Sequence, residues 1–349
     1  MLDAVPKTMA IHDLLAAASA GTLGRLPPEV LTVESLTAPN ATGYTALHAA
    51  AKYGCLRDLP PSVLTAPLLT LKNAVGYTPL HHAAIGGHLD QIPPAVLTPG
   101  NLSLRSNAGY TVYHLAAASG HLDQIPAELL TPEVFLRKTD LGNTLLHEAA
   151  ENGTLGAVPG RFIAAETLAQ KNLGGETVLH VAAFNGHLDQ VPRPLMTAAA
   201  LREPTSAGDT VFHAAAISGH LGQVPPDLLA HQNLVIASKT GFTAIHAAAE
   251  TGQLDKIPAD QLTADLLLTR NDDGDTPLHA AAYEGHLDQV PSHLLTREHL
   301  GTRNYEGLSV GQTALDRGHL GQIPTASRPR PIGAIRRLIN RLTGVRPHF

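Results

Sequence analysis

A unit of thirty-three residues recurs along this chain without an insertion, and that period constrains the fold more than any single motif. Its clearest column is a histidine three residues after a threonine: His48, His81, His114, His147, His180, His213, His246 and His279, with Leu15 and Gln312 in the same register at the two ends. A fixed period of this length marks a stacked array, in which each unit covers the apolar face its neighbour cannot bury alone. Such arrays present surface and seldom carry chemistry, so binding is the expected function. A chain of 349 residues would ordinarily suggest two domains, but the unbroken period predicts one elongated solenoid.

The columns around the histidine define the unit. A glycine closes the first helix of every repeat (Gly21, Gly54, Gly87 and onward to Gly318), where a left-handed residue is expected. Leucine follows two residues later, from Leu23 to Leu320, and reads as core. A second glycine column, Gly43 to Gly307, stands two residues before the threonine (Ser309 in the last unit) and predicts a turn, an N-cap and an alanine-rich helix. The alanine pair after each histidine, as in Ala50 and Ala51, lets neighbouring first helices pack closely.

Segments such as GYTPLHHAAIGGHLD (76–90) and GDTPLHAAAYEGHLD (274–288) resemble the ankyrin repeat, with its T-P-L-H-x-A core. The resemblance covers roughly residues 12–324. It implies an all-α, elongated ankyrin-like solenoid of ten 33-residue helical repeats with finger loops, acting on protein partners. It also implies a structural role for His48 through His279, bonding the helix-start threonine and tying units together. The second helix departs from the family pattern, because proline stands six residues after the glycine in every unit, from Pro27 and Pro60 to Pro324. Proline within a helix costs about 3 kcal/mol and forces the preceding residue out of helical geometry. The second helix is therefore expected to be split in two, with the proline at the first position of a short P-x-x-L-L helix. Thr32, Thr65, Thr98, Thr131, Thr197, Thr263 and Thr296 then cap another short turn. The divisions expected are an N-terminal capping repeat (1–42), eight repeats (43–306), a degraded repeat (307–324) and a basic tail (325–349).

Twenty histidines raise the question of metal, and the period answers it. His81 and His88 lie seven residues apart, about 10 Å along a helix, and equivalent histidines in adjacent units are separated by a similar helix spacing. Zinc needs ring nitrogens about 2.0–2.1 Å from the ion, so neither ladder chelates. The HEAAE run at 147–151 lacks the second histidine of a zinc-protease helix, and Cys55 has no general base identifiable beside it. No phosphate loop or nucleophilic triad stands out. The chain is read as non-enzymatic, without metal or cofactor.

Where one face of a constant scaffold varies, contact residues are expected. The residue after the finger glycine and the pair closing the first helix vary most, giving Tyr44, Tyr53, Tyr77, Tyr110, Phe184, Phe242 and Tyr283 as candidate partner-binding residues. The alternative for the finger tyrosines is that they cover the neighbouring finger. Later units turn acidic (Glu176, Asp209, Glu250, Asp272, Asp273, Asp275, Glu284), which disfavours nucleic acid for the array itself. Charge then reverses. Residues 325–349 hold six of the 24 basic residues and no acidic one, leaving 18 basic against 30 acidic before them. From Ile332 apolar residues recur at helical spacing between arginines, so Arg336, Arg337 and Arg341 are candidates for docking to an anionic membrane or nucleic acid. The other reading of this tail is a cap over the last repeat. A lone cysteine, no long apolar run and no leader-like start lead to the expectation of an unprocessed, cytoplasmic, monomeric protein.

Overall fold

The computed structural model describes residues 9–328, and within them the secondary structure is helical, with isolated bridges but no strand. Packing divides the chain into two compact units, residues 1–200 and 201–349. The N-terminal unit stacks α1 (Ile11–Ser19), α2 (Ala46–Tyr53), α3 (Pro79–Gly86), α4 (Val112–Ala118), α5 (Leu145–Asn152) and α6 (Val178–Asn185), each against the next. The C-terminal unit repeats the arrangement with α7 (Val211–Ile217), α8 (Ala244–Glu250), α9 (Pro277–Glu284) and α10 (Val310–Asp316). Each unit is an ankyrin-like helical stack.

Two turns of helix are too short to persist alone in water, so packing and capping must hold them. At the start of α2 the Thr45 hydroxyl accepts the His48 backbone N–H, and the same capping box recurs at Thr78 and Thr111. The alanines inside, such as Ala49, Ala50 and Ala51, are fully buried between neighbouring helices. At the far end Gly87 takes φ +74°, and its N–H bonds the Ala84 carbonyl. The imidazole of His121, in the next unit, lies against Gly87 so closely that a Cβ there would sit 2.6 Å from the ring. The histidine after the helix-ending glycine therefore packs on the preceding unit's glycine, a second reason for the residue that the period alone did not reveal.

The outer segment differs from the expectation. At 56–69 it is broken into three pieces, not two: a 3-10 turn before the proline (Leu56–Asp58), a second 3-10 turn after it (Pro61–Val63) and a one-turn α-helix (Ala66–Leu69), while the repeats at 89–102 and 254–267 lack the second 3-10 turn. Pro60 precedes its turn as the N-cap (φ −59°, ψ 140°) instead of occupying the first helical position, and Leu59 before it is extended at ψ 150°. The steric restriction that proline places on its predecessor ends the first turn, and its own extended ψ delays the second. Threonine caps form at Thr32, Thr98, Thr197, Thr263 and Thr296, whose hydroxyls accept the backbone N–H three residues on, at 3.2–3.3 Å, whereas Thr65 and Thr131 stand at the N-cap position without a side-chain cap bond. The apolar residue four after each threonine, as at Leu69, Leu102 and Phe135, is fully buried.

A glutamine that the sequence reading passed over stitches these outer turns together. The Gln124 side chain accepts the Leu89 N–H at 2.8 Å and donates to the Gly87 carbonyl at 2.7 Å, so one residue satisfies a donor and an acceptor of the preceding unit. Gln190 does the same for Gly156 and Gly153, and Gln289 for Leu254 and Gly252.

Two substitutions in the N-terminal unit separate backbone strain from steric contact. At Gly120, with φ +76°, an added Cβ meets nothing nearer than 3.4 Å, so Gly120→Ala is expected to cost only the left-handed penalty of about 1–2 kcal/mol. Gly87→Ala must in addition displace His121, and is expected to cost at least about 1 kcal/mol more. Urea midpoints of the two variants against the parent measure the difference, and equal losses would contradict the packing argument.

Candidate interaction surface

The exposed face of each unit is built from fingers and the first helices behind them. Each finger closes on itself through one short polar side chain. The Asn73 carboxamide oxygen accepts the N–H of Val75 and of Tyr77, at 3.1 and 2.9 Å, while the Asn73 N–H donates to the Tyr77 carbonyl. Successive fingers are joined by single backbone bonds: Ala74 N–H to Thr42 O, Asn107 N–H to Val75 O, Asp140 N–H to Ala108 O and Leu173 N–H to Leu141 O, at 2.8–3.1 Å. Basic side chains add a second tie, since Lys72 Nζ donates to Arg105 O and Lys138 Nζ to Lys171 O, each at 2.7 Å. These cations thus bind carbonyls of the following unit.

Behind the fingers runs the histidine column. His48 Nδ1 lies 2.8 Å from the Thr45 hydroxyl, and its Nε2 is 3.1–3.2 Å from the carbonyls of Leu71 and Tyr77 in the next unit. Carbonyls can only accept, so the proton sits on Nε2 and Nδ1 accepts from the threonine O–H and N–H. The same donation to the residue twenty-nine ahead occurs from His81 to Tyr110, His147 to Glu176, His213 to Phe242, His246 to Asp275 and His279 to Leu308. All are buried, and burial holds His81, His114 and His147 down to about 4. The imidazoles are neutral structural links, as the family resemblance implied.

The seven candidate contact residues fall into two groups. Tyr44, Tyr77, Tyr110 and Phe242 are half-buried, and each ring lies against the histidine of its own unit. Tyr77 stacks on His81 with centroids 5.4 Å apart and planes 4° from parallel, and Tyr44 and Tyr77 both meet the buried ring of His82 edge-on. Burial raises the Tyr44 and Tyr110 hydroxyls to about 12. Tyr53, Phe184 and Tyr283 stand at the ends of α2, α6 and α9 and are 45%, 54% and 47% exposed. Arg336, Arg337 and Arg341 lie outside the described residues.

Two grooves gather these groups with others that the sequence reading missed. In the N-terminal unit, Phe184 and Val181 line one with the fingertip leucines Leu141 and Leu173, which are 64% and 74% exposed, and with Asn143 and Glu176. Both leucines were legible signals, because the positions equivalent to Leu141 include Ala108, Ala207 and Thr240, and those equivalent to Leu173 include Asn107, Asp140 and Lys239. In the C-terminal unit, Phe242 and Tyr283 share a groove of about 290 Å³ with Glu250, Asp275, Glu284 and Leu308.

Glu148 was also missed. It sits directly after His147 in α5, only 4% exposed, and accepts from the Asn143 side chain at 3.0 Å. Burial raises its carboxyl to about 7, against the bond from Asn143, which favours the ionised form. Asn172 in turn donates to Asn143 at 3.1 Å, so the carboxyl ends a short polar chain that runs out to the exposed finger.

A family model for ankyrin repeats matches residues 114–200 as three copies, and a second matches residues 273–301 as a single ankyrin repeat. No curated protein matches the chain significantly. Among the described residues, no helix is long and apolar enough to cross a membrane.

Two pH effects follow. The buried histidines are neutral when folded, whereas their unfolded counterparts take up protons below about 6.5, so their contribution to stability is fully present above that pH and is lost as pH falls toward 4. At 1.36 kcal/mol per pKa unit, His81, His114 and His147 together account for a loss of several kcal/mol. The urea midpoint should drop progressively between pH 7 and pH 4.5, and a flat profile would refute the neutral ladder. Glu148 acts in the opposite sense: its folded pKa is raised, so stability is lost as pH rises through about 7. Glu148→Gln keeps an acceptor for Asn143 and should stabilise the protein by roughly 2 kcal/mol at pH 8, with the gain fading by pH 5.

Proposed function

For a chain that carries ankyrin repeats, and hence modules of protein–protein interaction, we propose that its own role is that of a non-enzymatic scaffold whose fingers and first-helix ends hold a protein partner. The observation that carries the reading is the placement of exposed apolar surface. Leu141, Leu173 and Phe184 are all more than half exposed and line one groove, while the repeat's invariant leucines are buried beneath. A clustered apolar patch framed by polar groups, here Asn143, Asn172 and Glu176, is what a protein interface leaves exposed when its partner is absent. The proposal assigns Tyr53, Phe184 and Tyr283 as anchors in first rank. Tyr44, Tyr77, Tyr110 and Phe242 offer one edge to a partner and spend the other on their histidines.

The triple change Leu141→Ser, Leu173→Ser and Phe184→Ala removes the patch without opening the core. Partner retention on the immobilised full-length chain should fall by about tenfold or more, as expected for interface anchors. The urea midpoint should move little, because exposed positions seldom matter to stability. Tyr44→Ala with Tyr77→Ala should instead lower the midpoint, since both rings pack on buried imidazoles. Undiminished retention after the triple change would exclude this groove as the contact surface.

A further inference from the structure

The groove of the C-terminal unit is unlike the leucine-rich one, and its chemistry selects a cationic occupant. Glu250 ends α8, Glu284 ends α9 and Glu306 stands at the tip of a finger, all three exposed and without an ion-pair or hydrogen-bond partner among the described residues. Asp275 adds a fourth carboxylate, which accepts from Asn304 at 2.8 Å. The walls between them are the rings of Phe242 and Tyr283 and the side chain of Leu308. One guanidinium already lies on this rim: Arg317 sits over the Tyr283 ring, 3.3 Å from its centroid. Unpaired carboxylates beside aromatic and aliphatic walls suit a segment that alternates arginine with apolar side chains.

The chain carries such a segment within the same unit. Residues 329–349 contain Arg330, Arg336, Arg337, Arg341 and Arg346 and no acidic residue, with Ile335, Leu338, Ile339 and Leu342 between them. They follow Arg328, which is tied to the last repeat by its Nε donating to the Ile323 carbonyl at 3.0 Å. Twenty-one residues reach up to about 70 Å when extended and about 30 Å as a helix. Attachment also sets a local concentration on the order of millimolar, which a free ligand seldom matches.

We propose that the arginine-rich C-terminal segment, residues 329–349, docks in cis into the Glu250–Glu284–Glu306 groove and blocks it against other ligands. The blocking role rests on the finger and first-helix face being the partner-contacting surface, whereas the docking itself does not. A partner for this groove must then displace the segment, either by presenting a stronger cationic stretch or by drawing the arginines onto an anionic surface.

Limited trypsin digestion of the full-length chain reads the docking without any partner. The cleavable positions are Arg336, Arg337 and Arg341, since Arg328, Arg330 and Arg346 each precede proline. Cleavage there is compared, by mass spectrometry, with that of a free peptide of residues 329–349. Docking predicts at least tenfold protection in the parent chain. It also predicts loss of that protection in Glu250→Gln/Glu284→Gln/Glu306→Gln and at 0.5 M salt, with cleavage elsewhere unchanged as the check on folding. A parent chain cut as fast as the free peptide overturns the proposal, as does protection that survives the triple change. Protection that disappears on hundredfold dilution would place the segment in a second copy and overturn docking in cis. None of these readings depends on Leu141, Leu173 or Phe184, so failure here and failure of the scaffold reading are told apart.

Discussion

One proton, on Nε2 of a buried imidazole, is the link on which the rest of each stack depends. Each imidazole accepts at Nδ1 from the threonine that caps its own helix and donates at Nε2 to a carbonyl at the finger of the following unit. A single residue thus fixes where a helix begins and where the next finger lies. It must be neutral to do so, because protonated Nδ1 would meet a backbone N–H with another donor. Burial enforces that neutrality, and the same burial makes the bond costly to lose, since an unpaired polar group left in the core retains its desolvation penalty.

The remaining ties use what this link leaves over. Helices of two turns leave many terminal backbone groups without partners, and each class is met from an adjacent unit or from a cap. Threonine takes N–H groups at the start, while the glutamine column takes an N–H and a carbonyl behind the helix end. Basic side chains take carbonyls at the base of the fingers. Because most of these bonds cross between units, a unit has little reason to persist alone. The stack is held by neighbour terms more than by intrinsic helix stability.

With the columns committed to holding the stack, only fingertips and helix ends are free to differ, and the two units have used that freedom differently. The N-terminal unit presents leucines and Phe184 around asparagines, with Glu148 buried beneath the finger at a pKa near neutrality. The C-terminal unit presents unpaired carboxylates around Phe242 and Tyr283. An apolar groove rewards shape and area, whereas an acidic one rewards charge and responds to salt. Two grooves with such different chemistry suit two different occupants.

Much of this was legible in the sequence. The period located the helices, the caps, the left-handed glycines and the structural histidines, because a repeated unit repeats its backbone requirements and each requirement admits few residue types. Proline told that the outer helix is interrupted, yet not that Pro60 stands before its turn, because φ is fixed by the ring while ψ is set by the packing of Leu59 and Val63 into the core. The finger tyrosines were visible as aromatic, but how far histidine covers them depends on a neighbour four or five residues on and turned toward the same face. Nothing in the sequence singles out Glu148, one of two acids in the HEAAE run at 147–151. Only the tertiary arrangement, with a finger folded over α5 and Asn143 as its donor, buries that carboxylate and moves its proton affinity toward neutral pH. The sequence alone determined the repeat and its backbone, since those rest on local sterics and hydrogen-bonding capacity. Which side chains are exposed, paired or desolvated was decided by tertiary structure, since solvation depends on what the neighbouring units place above each one.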